Sequence, residues 1–159
     1  MLIRAFKSAD VDAVASVYRD AVITLGSQAY NAEQVKVWAT YPDDREKFAA
    51  QLLKGLTLVC EENGTVAAFG QLAPFDHIAL LYCSSPFSRR GFATAILQRL
   101  EDHARIQKIE KLCTEASRIA QPLFARQGFT VIEVERSIRL GVEFERFKMQ
   151  KLLPTNHGD

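Results

Sequence analysis

Disulfide and metal-centre signatures are missing from this chain. Three cysteines, Cys60, Cys83 and Cys113, and three histidines, His77, His103 and His157, are scattered over 159 residues. No CxxC pair occurs, an odd number of thiols gives no disulfide framework, and no His/Cys group has zinc-site spacing. Bound metal is therefore not expected, and a reducing, cytoplasmic compartment is. Charge of one sign is missing too. The formal net charge is +1, so no global field draws the chain to nucleic acid or an anionic membrane, and no aromatic–basic interleaving suggests a base-stacking platform. No apolar run approaches the roughly 20 residues that span a bilayer, and MLIRAFKSAD lacks the apolar stretch of a signal peptide. A hydrolase is disfavoured because there is no G-x-S-x-G elbow or ordered triad. What is present is ordinary: 48% hydrophobic and 25% charged residues, enough for one folded domain over residues 1–153. Residues 154–159, PTNHGD, read as a flexible tail.

Periodicity supplies the elements. Met1–Phe6 reads as a strand. Val11, Val14, Ala15, Tyr18, Val22 and Leu25 form a helical stripe, with Gly26 as its expected end. Asn31 and Asp43, each followed three residues later by Gln34 or Glu46, read as helix caps. The second of these helices carries Phe48, Leu52 and Leu53 and stops at Gly55. Leu56–Glu61, the Asn63–Gly64 turn and Thr65–Leu72 form a hairpin, and Asp76–Cys83 is the next strand. A polar loop leads to a helix opening near Gly91. Lys111–Glu115 is a strand, and Ser117–Gln127 is a helix closed by Gly128, with Pro122 tolerable only in or near its first turn. Phe129–Leu140 and Val142–Leu152 are a final strand pair around Gly141. The expected fold class is α/β of α+β type: a mixed, mostly antiparallel sheet with helices on its faces. A doubly wound fold would need more parallel units and an early glycine-rich turn.

The stretch that carries chemistry is Ile78–Leu100, IALLYCSSPFSRRGFATAILQRL. A strand ends at Cys83 and a helix opens at Gly91, where first-turn N–H groups lack partners and the helix dipole favours an anion such as a diphosphate. Gly91 permits close approach to the backbone, and Arg89 and Arg90 bring positive charge. An ordinary strand-to-helix loop with two solvated arginines reads the same way locally.

The order of elements adds weight. SRRGFA resembles the Gln/Arg-x-x-Gly-x-Gly/Ala signature of the GNAT superfamily of N-acetyltransferases. SRIAQPLFARQGF resembles that family's next block, while YNAEQVKVWA and FERFKMQKLL are similar to segments of a bacterial subgroup, so the resemblance covers nearly the whole chain. It implies two central parallel strands that splay apart around acetyl-CoA, used as acyl-donor cosubstrate, and transfer to an amine by direct attack in a ternary complex. It implies cofactor contacts from Leu81, Tyr82 and Cys83 on the strand, and from Ser88, Arg89, Arg90, Gly91, Phe92, Ala93 and Thr94 at the loop and helix start. Ser117 and Phe124 follow from the next helix. The Cys83 amide would face the thioester carbonyl; Ser117 reads equally as an N-cap. Two positions depart from the pattern. Ser88 replaces Gln or Arg, and Phe124 stands where many relatives carry the tyrosine thought to protonate the leaving thiolate. Phenylalanine donates no proton, so another group or water must act, or the thiolate leaves unassisted.

Deprotonating an ammonium acceptor asks for a base tuned near neutrality. His77 is the first candidate by chemistry, against the commoner role of a surface histidine at a strand start. Glu115 could act through water, and Tyr82, on the face opposite Cys83 by alternation, is an uncertain acid. His77 and Cys83 lie about 20 Å apart along one strand, too far for a Cys–His pair. Tyr30, Gln34 and Trp38 lie where relatives build the acceptor pocket, although Trp38 also suits a core. The acceptor is expected to be a small-molecule or peptide amine. The final strands offer a surface for a homodimer. An acyl-CoA-binding sensor without useful catalysis is the alternative, favoured by Phe124.

Overall fold

The computed structural model describes residues 1–154; most of the expected tail, residues 155–159, lies outside the described residues. In chain order the elements are β1 (Leu2–Ala5), α1 (Val11–Asp20), α2 (Ala32–Ala39), α3 (Arg45–Leu52), β2 (Leu56–Glu62), β3 (Thr65–Leu72), β4 (His77–Cys83), α4 (Phe92–Ile106), β5 (Lys111–Ala116), α5 (Gln121–Arg126), β6 (Thr130–Arg139) and β7 (Val142–Leu152). They form one seven-stranded sheet in the order β1-β2-β3-β4-β5-β7-β6. Only the β4–β5 pair is parallel. This is the mixed, mostly antiparallel sheet expected, with helices on both faces.

Local chemistry explains most boundaries. Asn31 caps α2 reciprocally with Gln34: its side chain accepts from the Gln34 amide at 2.8 Å and Gln34 accepts from the Asn31 amide at 3.0 Å. The β2–β3 turn places Asn63 and Gly64 at φ 53° and 79°, the paired positive values of a type I′ turn. Pro122 is the second residue of α5, where its missing N–H costs no helix bond.

Four boundaries differ from expectation. The chain stays helical through Ala21–Leu25, a wider π-type turn, and through Gly26–Gln28. Gly26 is required for another reason: a Cβ there would stand 2.9 Å from Cζ3 of Trp38, so the glycine lets α2 close on α1. The cap of α3 is Asp44, which accepts from the Lys47 amide at 3.1 Å, because Tyr41–Asp43 is itself wound into a short 3-10 turn. Leu53 lies beyond α3 and is exposed. Finally, α5 starts at Gln121; Ser117–Ala120 form a turn in which Ser117 Oγ accepts from the Ala120 amide at 3.1 Å.

Two apolar layers sandwich the sheet. On one face Ile96, Leu97 and Leu100 of α4 pack with Leu112, Phe124 and Met149. On the other, Val14, Tyr18, Phe48 and Leu52 of α1 and α3 pack on Val59 and Phe69. Full burial of each such side chain contributes about 1.5–3 kcal/mol.

Two irregularities position the site. β4 and β5 are paired only at His77↔Cys113 and Ile78↔Thr114, and beyond these residues the two strands are unpaired with each other. β4 also carries a bulge: Gln71 opposes Leu80 while Leu72 opposes Ile78, leaving Ala79 as the extra residue. A bulge reverses the alternation of the strand. Ile78 therefore shares the α4 face with Leu81 and Cys83, whereas Leu80 and Tyr82 face α1. His77, next to Ile78, falls on the Tyr82 face.

Candidate active site

The loop from Ser84 to Gly91 is shaped by short-range contacts. Asp20, at the end of α1, accepts from both the amide and the hydroxyl of Ser85. The Ser88 hydroxyl donates to the Ser85 carbonyl at 3.0 Å. Arg89 and Gly91 both take positive φ, 60° and 84°, and a Cβ on Gly91 would meet nothing within 4 Å. The first backbone bond of α4 runs from the Ala95 amide to the Gly91 carbonyl at 3.0 Å. The amides from Arg89 to Thr94 consequently have no acceptor among the described residues, a row of outward donors at a helix start. Arg90 does not point free into this cradle. Its guanidinium lies over the Phe87 and Phe92 rings, 5.6 and 5.2 Å from their centroids, and 3.6 Å from a Glu62 oxygen.

The gap between β4 and β5 opens into a cavity of about 270 Å³. Leu81, Tyr82, Ser117 and Phe124 line it, as do Tyr30 and Trp38. The Ser84 amide donates to the Ala67 carbonyl on β3 at 2.9 Å. By strand alternation the Cys83 amide turns to the opposite edge, the one β5 leaves open. Burial pushes the Cys83 thiol up to about 11, so it is protonated at neutral pH and is a weak nucleophile. Ser117 both caps its own turn and faces the cavity. Phe124 is 2% exposed and packs edge-on against Phe129 at 5.1 Å.

On the α1 face, His77 and Glu115 meet. Nε2 of His77 lies 3.0 and 3.1 Å from the two Glu115 oxygens. A carboxylate accepts, so Nε2–H is the donor of this pair. Glu115 lines the cavity and His77 stands behind it, outside the lining. Tyr82 lies between Tyr18, Trp38 and Phe69, and burial raises its phenol above the ordinary value. Gln34 is not brought to the cavity: beyond its cap to Asn31, its Nε2 donates to the Glu143 carbonyl at 2.9 Å and ties α2 to β7.

Several lining residues escaped the sequence reading. Tyr18 reads only as part of the α1 stripe and Tyr41 is not singled out by the pattern; burial raises both phenols. Ser137, Arg139, Phe144 and Arg146 come from β6 and β7. The available signal was polar residues recurring at every second position of the last hairpin. Arg118 lies outside the lining and contacts two residues of it. Its amide donates to the Tyr30 hydroxyl at 2.9 Å, its guanidinium covers the Tyr30 ring at 5.1 Å, and Nε reaches Glu145 at 3.4 Å. Among the described residues, no three His, Cys, Asp or Glu side chains converge as a metal-ion site.

Comparison with known proteins finds relatives along nearly the whole chain. Residues 27–153 match the family model described as "Acetyltransferase (GNAT) domain". The uncharacterized N-acetyltransferase YafP of Escherichia coli (strain K12) is 29% identical over 149 residues, covering 93% of each chain. A solved GCN5-related N-acetyltransferase from Rhodopseudomonas palustris superposes with a TM-score of 0.93 at 28% identity, over 96% of this chain and 95% of that one. PaiA N-acetyltransferase from Thermoplasma acidophilum, solved in complex with coenzyme A, gives 0.80 at 18% identity, over 96% and 98%.

Proposed function

The chain belongs to the GNAT acetyltransferases, enzymes that use acetyl-CoA as cosubstrate, and from that premise we propose that it acetylates a primary amine by direct attack on the bound thioester. The observation that carries the reading is the conjunction of the amide row from Arg89 to Thr94 with the β4–β5 gap. Those donors suit a diphosphate, Gly91 leaves their approach open, and the gap suits the pantetheine arm. Acetyl-CoA supplies an activated acyl group; the rest is work for the protein.

Glu115 faces the cavity and accepts the proton of the acceptor's ammonium, with the His77 Nε2–H behind it orienting the carboxylate. The freed nitrogen forms the new C–N bond as the C–S bond breaks, and it then loses its second proton to water. The Cys83 amide, turned to the open edge of β4, donates to the oxygen on which negative charge grows. Phe124 has no proton for the departing thiolate, so that proton comes from water entering the cavity. The Cys83 thiol is held protonated by burial, which supports direct attack over an acetyl-cysteine intermediate.

Phe124 also favours a second reading, acyl-CoA binding without turnover. One experiment separates them. Calorimetric titration with acetyl-CoA, against adenosine diphosphate as a weaker control, is expected to show saturable one-to-one binding. An amine panel monitored for CoA release then decides: binding without release across the panel favours the sensor, and no binding removes both readings.

A further inference from the structure

The cavity carries charge of both signs, and from this we infer that the acceptor is a zwitterion, an amino acid with an aromatic or bulky apolar side chain. The inference rests on the acetyltransferase reading above. Glu115, backed by His77, forms the part that receives an ammonium. Beside it, β7 and β6 bring Arg146 and Arg139 to the same cavity. Glu115 lies directly opposite Lys148 in the β5–β7 register, and Arg146 is two residues along β7 on the same face. Diagonal positions of this kind are about 7–8 Å apart at Cα, close enough for one small molecule to touch both side chains.

The free charges at this wall are selective. Lys148 is offset by Glu133 and Glu135, at 3.6 and 3.4 Å, and Glu145 is engaged by Arg118. Glu135 also holds one terminal nitrogen of Arg146 and fixes its orientation. Nε of Arg146 remains buried without a hydrogen-bond partner. Burial keeps that atom out of a ligand's reach, so Arg146 meets one through the part of its side chain that lines the cavity. Arg139 stacks over the Tyr41 ring at 5.2 Å and has no carboxylate partner among the described residues. Two guanidinium donors thus face a carboxylate of the acceptor, while Glu115 faces its nitrogen. Between them the wall is aromatic, from Tyr18, Tyr30, Trp38 and Phe144, which suits a flat or bulky apolar side chain.

Trp38 is the sole tryptophan and lines the cavity, so its fluorescence reports occupancy. The test titrates L-phenylalanine and 2-phenylethylamine, identical but for the carboxylate, into the CoA-saturated protein. L-phenylalanine is expected to bind more tightly by about tenfold or more. Arg139→Gln and Arg146→Gln are each expected to reduce that preference, and Arg146→Lys to restore only part of it, since an ammonium lacks the fork. Should Arg146→Gln fail to fold, Arg139→Gln alone decides. Equal or tighter binding of 2-phenylethylamine, binding of neither probe, or a preference that survives the arginine substitutions would overturn the inference. Acetyl-CoA titration of the same samples keeps the two readings apart: intact acetyl-CoA binding with no carboxylate preference removes only the zwitterion.

Discussion

At the scale of single residues, the chemistry divides between a protonated thiol and a coupled His–Glu pair. Burial raises the Cys83 thiol to about 11, so Cys83→Ala is expected to keep turnover within a few-fold, and iodoacetamide to modify the native protein slowly near neutral pH. A loss of about a hundredfold or more in the alanine variant would point instead to covalent catalysis by this side chain. In the proposed reaction Glu115 faces the acceptor and His77 acts through it. Glu115→Gln is therefore expected to lower kcat by about 10²-fold or more, with acetyl-CoA affinity little changed. His77→Ala should cost less and alter the acid side of the kcat–pH profile. If both variants kept the wild-type rate and pH profile, neither residue would belong to the proton path.

At the scale of elements, the start of α4 and the bulge in β4 do different jobs. The α4 start is a local device: a glycine at φ 84° turns the chain so that successive amides point outward. Gly91→Glu combines a strained conformation with a negative charge against those donors. It is expected to abolish calorimetric acetyl-CoA binding in a variant whose circular dichroism shows a folded protein; undiminished affinity would displace the cradle from this loop. The bulge at Ala79 is non-local. It reverses the faces of β4 so that His77 meets Glu115 instead of pointing toward α4. Asp20 ties the loop before α4 to the end of α1 by holding Ser85.

At the scale of the whole molecule, stability at acid pH is tied to the junction of β1 with α1. Asp10 is 9% exposed, receives two hydrogen bonds from the Arg4 guanidinium at 2.8 Å, and accepts from the Lys7 amide at 2.8 Å. The Arg4 bonds hold its carboxyl below the usual carboxylate value. A group depressed on folding stabilises above its unfolded pKa of about 3.9, and that contribution is lost as pH falls through the lower folded value. Denaturant titrations should therefore show a shallower acid loss of stability in Asp10→Asn than in the wild type, with the variant about 1–3 kcal/mol less stable at neutral pH. Parallel curves for the two proteins would mean that Asp10 does not titrate with folding.

The order of strands and helices, the Asn63–Gly64 hairpin, the cap at Asn31 and the turn at Gly91 that opens α4 were all legible in the sequence. Each depends on neighbours a few positions apart, so local propensity and backbone conformation suffice. The limits of α1, α3 and α5 were less legible, because packing of Trp38 on Gly26 and the turns at Tyr41–Asp43 and Ser117–Ala120 override single-residue signals. The acceptor wall was decided only by tertiary structure. Strict alternation along β4 puts His77 and Tyr82 on opposite faces, and one extra residue, visible only in the pairing with β3, brings them to the same one. Gln34 looked like a pocket residue until β7 supplied the Glu143 carbonyl that occupies it. Arg139 and Arg146 enter from strands distant in sequence, through registers that a period of two does not encode.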